Sequence, residues 1–244
     1  MNSQKKWTIL LILLLSVWIF INYQMIDSEL DDLREKEDGQ SVVAERVIDG
    51  DTIVINGKSI RLLGINSPER GEYFYDEAKD FLESLVLNEN IEIESYGKDK
   101  YYRVLAYVFV DNKNINVEMV EKGFANVYLL DEKYYKRELR SAWKNCVKEN
   151  FNLCEISNNK CSNCVELEGL DIKEQKVVFY NKCDFDCDLS DWEIKEEGRG
   201  KMVLKDDIKK KNYLDIKTKN MWERTGDTLF LRDNEGKLVL YYSY

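Results

Sequence analysis

The sequence predicts a mainly β protein with helices, an α+β chain in which a five-stranded Greek-key barrel of OB type precedes a small β-sandwich. Three observations carry that reading. Short β-rich runs separated by turn signals fill residues 42 to 110, helical spacing interrupts them after the third run, and residues from 165 onward are patterned almost entirely as strands. An apolar segment and an acidic spacer stand in front of both units.

The chain opens with Lys5 and Lys6 and then WTILLILLLSVWIFIN, a run without charge. That run is long for a signal-peptide core, no small-x-small cleavage pattern follows it, and Tyr23 and Met25 extend it toward the length of a bilayer span of about 20 residues. Residues 1–6 therefore read as a cytoplasmic N-terminus and 7–25 as a single-pass transmembrane signal anchor that leaves the rest of the chain extracytoplasmic. Secretion after cleavage of a signal peptide is the alternative. Residues 26–40 are mostly acidic and read as a solvated linker.

From Val42 the pattern changes. Residues 42–48, 52–55 and 59–65 are predicted strands, and Asn56-Gly57 between the last two is a hairpin signal. Phe74, Ala78, Phe81, Leu82 and Leu85 then recur at helical spacing, with Asp76, Glu77, Asp80 and Glu83 on the other side. Strands follow at 91–95 and 103–110, a short helix runs from Asn116 to a stop at Gly123, and a last helix is expected over 131–148. Residues 41–150 make the barrel unit, 151–164 a cysteine-containing linker and 165–244 the sandwich unit.

Composition narrows the chemistry. The chain has no histidine, which excludes histidine-based nucleophile activation and histidine-ligated zinc. Any general base has to be a carboxylate, a lysine, a tyrosine or a metal-bound water. The formal net charge is −10, so contact with a polyanion must rest on a few placed cations or a metal rather than on a basic surface.

Three segments place charge where the pattern calls for apolar residues. In VIDGDTIVI, Asp49 and Asp51 flank Gly50 at a strand end; alone, this is also an ordinary Asp-Gly turn. In IRLLGINSPE, Arg61 stands within an apolar run, and Asn66, Ser67 and Glu69 follow as three oxygen-bearing side chains around Pro68. In DKYYRVLAYVFV, Arg103 opens another apolar strand. Each arginine is also compatible with a snorkelling or structural role. Together the set offers oxygen ligands for a hard cation and two guanidinium groups for a phosphorane that gains negative charge as water attacks.

DGDT at Asp49 to Thr52, RLLGINSPE at Arg61 to Glu69, DKYYRVLAYV around Arg103 and NVEMVEKGFANV from Asn116 to Val127 resemble, in order and spacing, the signature blocks of the staphylococcal nuclease (thermonuclease) family. The resemblance implies an OB-fold endonuclease that hydrolyses DNA and RNA with one calcium ion. It implies that Asp51, Asn66 and Ser67 hold the metal, Ser67 through its backbone carbonyl. Glu69 matches the proposed general base, Arg61 and Arg103 the pair that grips the scissile phosphate, and Lys100 and Tyr101 residues near a terminal phosphate. Asn66 departs from the family's common aspartate, which keeps an oxygen and removes a charge. A catalytically inactive binding module on the same fold is the rival expectation.

LSDWEIK and MWERTGDTLFLRDNEGKLV resemble the lamin-tail domain, which implies an immunoglobulin-like sandwich without naming a partner. Trp192 and Trp222 read as core. Cys146, Cys154, Cys161, Cys164, Cys183 and Cys187 suit disulfides in an exported chain, or a four-thiolate zinc site from the last four, and the sequence does not choose the pairing.

Overall fold

The computed structural model describes residues 42–129 and 134–244 together with Trp7. The remainder of the expected membrane anchor and the acidic linker lie outside the described residues. Among the described residues no helix is long and apolar enough to cross a membrane.

The first unit is a curled sheet. Strands β1 (Arg46–Asp49), β2 (Thr52–Ile55) and β3 (Lys58–Leu62) form an antiparallel meander, and β3 then pairs in parallel with β6 (Val104–Val110), which pairs with β5 (Ile91–Lys98). An antiparallel bridge from Val42 to Ile91 brings the chain ahead of β1 against β5, the closure expected of a five-stranded OB barrel. The Asn56-Gly57 hairpin signal is met, since both residues take positive φ (49° and 71°), as the two-residue turn that follows strand twist requires. Short pairs complete the unit: β4 (Ile65–Asn66) with β8 (Asn126–Val127), and β7 (Lys113–Asn114) with β6.

Three helices cover the barrel. Helix α1 (Tyr75–Val86) buries Ala78, Leu82 and Val86 and keeps its acidic residues outward. Helix α2 (Ile115–Glu121) starts one residue earlier than expected because Asn114 caps it by accepting from the Val117 N–H at 3.1 Å. It stops where expected, with Gly123 at φ 70°. Helix α3 is described over Lys136–Glu149, later than the predicted start at Asp131; Tyr135 before it is left-handed (φ 51°), which breaks the helical path. The predicted strand 59–65 splits because the chain turns at Gly64 to pair with β8 instead, and Arg103 lies just ahead of β6 rather than inside it.

Beyond a short 3-10 turn, nine strands follow: β9 (Val165–Asp171), β10 (Lys176–Asn181), β11 (Cys187–Asp188), β12 (Glu193–Lys195), β13 (Lys201–Val203), β14 (Asp207–Ile208), β15 (Tyr213–Lys217), β16 (Thr228–Arg232) and β17 (Leu238–Ser243). They form antiparallel sheets in the orders β15-β10-β9 and β13-β12-β16-β17, with β11 paired to β14. Val177 and Phe179 of one sheet and Ile194, Leu229 and Leu231 of the other share an apolar cluster with Trp192 and Trp222, so both tryptophans are core.

All six cysteines are paired: Cys146–Cys154, Cys161–Cys187 and Cys164–Cys183. The thiolate zinc alternative falls, because every candidate ligand is consumed.

The two halves are packed on each other. Phe230 and Leu238 belong to the same apolar cluster as the barrel, and the Trp143 ring of α3 stands edge-on to Phe230 at 5.3 Å. Arg232, 5% exposed, donates to the Leu153 carbonyl and to Asn126 Oδ1, which gives a buried guanidinium the partners it needs.

Candidate active site

The site grows from the β1–β2 turn. The strand register shifts between Val47 and Asp49, a bulge that re-aims the side chains after it. Gly50 then lets the turn touch the segment after β4. A Cβ there would stand 2.8 Å from the Cβ atoms of both Ala78 and Ser67, so only glycine fits.

Asp51, 6% exposed, is the hub. Its Oδ1 accepts from Thr52 Oγ1 at 3.0 Å and lies 3.0 Å from Arg61 Nε. Its Oδ2 accepts from the Ser67 N–H at 2.9 Å and from Ser67 Oγ at 3.1 Å. Arg61 is held further by donating to the Leu62 carbonyl and, through Nη2, to Asn66 Oδ1 at 3.2 Å. Three of its five N–H groups are thereby engaged and two remain for a ligand. The costly arginine of the apolar run is therefore paired with a buried carboxylate in the β1–β2 turn.

Beside the hub, Asp49 Oδ1 accepts from the Asp51 N–H at 3.2 Å. Burial, and then the negative charge of Asp51, push the Asp49 carboxyl up to about 6. Asn66 is 5% exposed and donates its Nδ2 to the Gly198 carbonyl at 2.8 Å, a residue of the C-terminal unit. Glu69 also faces that unit: its Oε1 lies 2.8 Å from Arg199 Nε, with the glutamate side chain 44% exposed.

A second cluster gathers around Asp99. Its carboxylate accepts from Arg103 Nε at 2.8 Å and from the Arg103 and Tyr101 backbone N–H groups. Burial alone would raise this carboxyl, but those hydrogen bonds hold it below the ordinary value. Lys100 Nζ and the Arg103 guanidinium stand 5.1 Å and 5.7 Å from the centre of the exposed Tyr101 ring. Leu105, two positions after Arg103, is the β6 register partner of Arg61, so the chain brings the Arg103 segment to the end of β6 that lies beside β3.

The sequence-predicted residues thus fall into one hydrogen-bonded hub of Asp51, Arg61, Asn66 and Ser67, a half-buried Glu69 that follows in the same segment, and a second group of Lys100, Tyr101 and Arg103. Among the described residues no cage of three or more Cys, Asp or Glu side chains forms. The donors at the hub are the Asp49 and Asp51 carboxylates, the Asn66 amide oxygen and the Ser67 carbonyl. All are oxygens, and the half-buried Asp49 carboxyl, raised first by desolvation and then by the charge of buried Asp51, makes with it a pair that a hard cation relieves. The residues fit such an ion. A cavity of about 580 Å³ lined by Arg140, Trp143, Asp227 and Tyr241 contains none of these groups.

Comparison with known proteins agrees with that geometry. A family model described as "Staphylococcal nuclease homologue" matches residues 59–155. The thermonuclease of Staphylococcus intermedius is 30% identical over 168 residues, which covers 62% of this chain and 99% of that protein. The chain belongs to the staphylococcal nuclease family. An uncharacterized endonuclease of Haemophilus influenzae is 38% identical over 88 residues, 34% of this chain, and the chain spans only about half (49%) of that protein's length. An endonuclease of Bacillus subtilis is 30% identical over 129 residues, 42% of this chain and 61% of that protein.

For a member of the staphylococcal nuclease family, several site residues were not assigned from sequence. Asp49 stands in the same turn motif as Asp51 and offers a carboxylate, but the family resemblance implies no role for it. Asp99 was legible only as the acidic neighbour of Lys100. Glu72, Gly198 and Arg199 carried no signal, because their place depends on how the C-terminal unit packs.

Proposed function

We propose that this chain is an endonuclease that hydrolyses phosphodiester bonds of DNA and RNA with one calcium ion. The observation that carries the reading is the hub itself: a buried carboxylate, Asp51, paired at 3.0 Å with a guanidinium, Arg61, that keeps two donors free. The printed names of relatives, a thermonuclease and two endonucleases, support the same class of activity.

In this reading Asp51, the Asn66 amide oxygen and the Ser67 carbonyl would hold the metal. A calcium ion, when bound, would supply positive charge that offsets the negative charge growing on the phosphate. Arg61 and Arg103 donate to the equatorial oxygens, where charge grows in the transition state. Glu69, three positions after Asn66 with its side chain 44% exposed, takes a proton from water. Lys100 and the exposed Tyr101 hold the strand beyond the cut, by charge and by stacking.

We read the C-terminal unit as lamin-tail-like and immunoglobulin-like, and the segment 7–25 as a membrane anchor that holds the site outside the cell. Three disulfides support an oxidising compartment.

Asp51→Ala separates enzyme from binding module. The enzyme reading expects the full-length chain to cut a single-stranded oligonucleotide in calcium and the variant to bind it without cutting. A wild-type chain that binds and never cuts would leave only the binding module.

A further inference from the structure

The second unit reaches the catalytic residues through one hairpin, residues 196–200 between β12 and β13. Its stem is fixed to the segment that carries Glu69. Lys195 Nζ lies 2.5 Å from Glu72 Oε2, and Lys201 Nζ lies 2.8 Å from Glu72 Oε1. Lys195 and Glu72 side chains are only 5% and 12% exposed, so this clamp is shielded from salt. Glu72 Oε2 also accepts from the Glu69 N–H at 2.9 Å, which ties the clamp directly to the backbone of the catalytic loop.

The tip is built differently. Gly198 offers its carbonyl to Asn66 Nδ2, and this sets the amide so that its oxygen faces Arg61. Arg199 pairs with Glu69 at 2.8 Å while its side chain remains 66% exposed. An ion pair that open is screened by water and salt and is too weak to lock Glu69. A phosphate offers the same guanidinium a stronger, two-pronged partner.

We propose that the 196–200 hairpin is a wall of the substrate cleft and that Arg199 is a nucleic-acid phosphate contact supplied by the C-terminal unit. This rests on the nuclease reading for its substrate. A buried, ion-paired stem with an exposed cationic tip presents a guanidinium to a substrate; a brake would need the buried pair to lie on Glu69 itself. The contact also answers how a chain of net charge −10 holds a polyanion, by adding a guanidinium at the one place where Arg61 and Glu69 already meet the strand.

The test uses the full-length chain, Arg199→Ala, Arg199→Lys and, as a control for lost surface charge, Lys173→Ala. Binding of a fluorescent single-stranded oligonucleotide is followed by anisotropy in chelator across a salt series, and cleavage in calcium is followed separately. One lost phosphate contact lowers the log–log salt slope by about 0.7. Arg199→Ala is expected to show that drop, with KM raised about five- to tenfold and kcat within about twofold. Arg199→Lys keeps the slope, Lys173→Ala matches wild type, and melting temperatures stay together because the residue is exposed. An unchanged slope in Arg199→Ala overturns the proposal, as does a raised kcat at unchanged KM, which would make the Glu69 pair a brake. A wild-type chain that binds but does not cut overturns the nuclease reading while the slope still decides Arg199.

Discussion

Arg61 Nε stands 3.0 Å from Asp51 Oδ1, so the guanidinium that would meet the phosphate is held by the carboxylate that would meet the metal. Asp51 lies in the turn between β1 and β2, and Arg61 lies within β3. Thr52 and Arg61 are register partners on β2 and β3, and the bulge at Asp49 turns Asp51 toward them. Removing the arginine therefore takes away a donor aimed at charge that develops only during reaction.

Arg61→Ala is expected to lower kcat by about 100- to 1,000-fold, the usual worth of one such donor, about 2.7–4 kcal/mol. Lys100→Ala should chiefly raise KM. Steady-state kinetics on one oligonucleotide compare them, and small, equal effects would make Arg61 a structural residue.

Asn66→Asp adds charge to the oxygen donor set and removes the amide donor that serves Gly198. Two opposite outcomes are expected from one substitution. The calcium concentration for half-maximal cleavage falls, and the melting temperature drops by the equivalent of about 1–3 kcal/mol because the Gly198 carbonyl loses its partner. Calcium titration and thermal melting read the two separately.

The clamp at Glu72 makes the docked arrangement acid-sensitive. Burial alone would raise the Glu72 carboxyl, but the Lys195 charge and the hydrogen bonds from Lys195, Lys201 and the Glu69 N–H bring it down to about 2. A depressed folded-state value contributes stability in full above the ordinary 4.5, and that contribution is lost as pH falls from 4.5 toward 2. Glu72→Gln should cost about 3 kcal/mol near neutrality, since it leaves a buried Lys195 without its charge partner. The gap in melting temperature between wild type and variant should narrow below pH 4.5. A gap that stays constant down to pH 2 would show that the pair contributes nothing ionic.

The disulfides separate the two units by experiment. Cys161–Cys187 and Cys164–Cys183 close loops of 26 and 19 residues within the C-terminal unit, and Cys146–Cys154 closes one of 8 at the end of the barrel unit. The longer loops lose more stability on opening, about 3–4 kcal/mol each against 2–3 for the short one. Paired Cys→Ala variants measured by denaturant unfolding should rank in that order.

Much of this was legible in the sequence for local reasons. The Asn56-Gly57 turn, the stop at Gly123 and the apolar stripe of α1 are dictated by residues within one turn of each other. Arg61 and Asp51 were legible because a charge in an apolar run needs a partner. The structure adds what depends on distant packing: the split of the third strand at Gly64, the late start of α3 after a left-handed Tyr135, and the cysteine pairing. Above all it adds the hairpin contacts, where Gly198 meets Asn66 across 132 positions and nothing local to either residue announces it.

The most direct measurement is the rate at which the full-length chain cuts a fluorescent single-stranded oligonucleotide in millimolar calcium, followed by addition of a chelator. Cleavage that begins with calcium and stops with the chelator is the predicted result. No cleavage in calcium, or cleavage indifferent to the chelator, would contradict the account of the Asp51–Arg61 hub as a calcium-dependent phosphodiester-cleaving site.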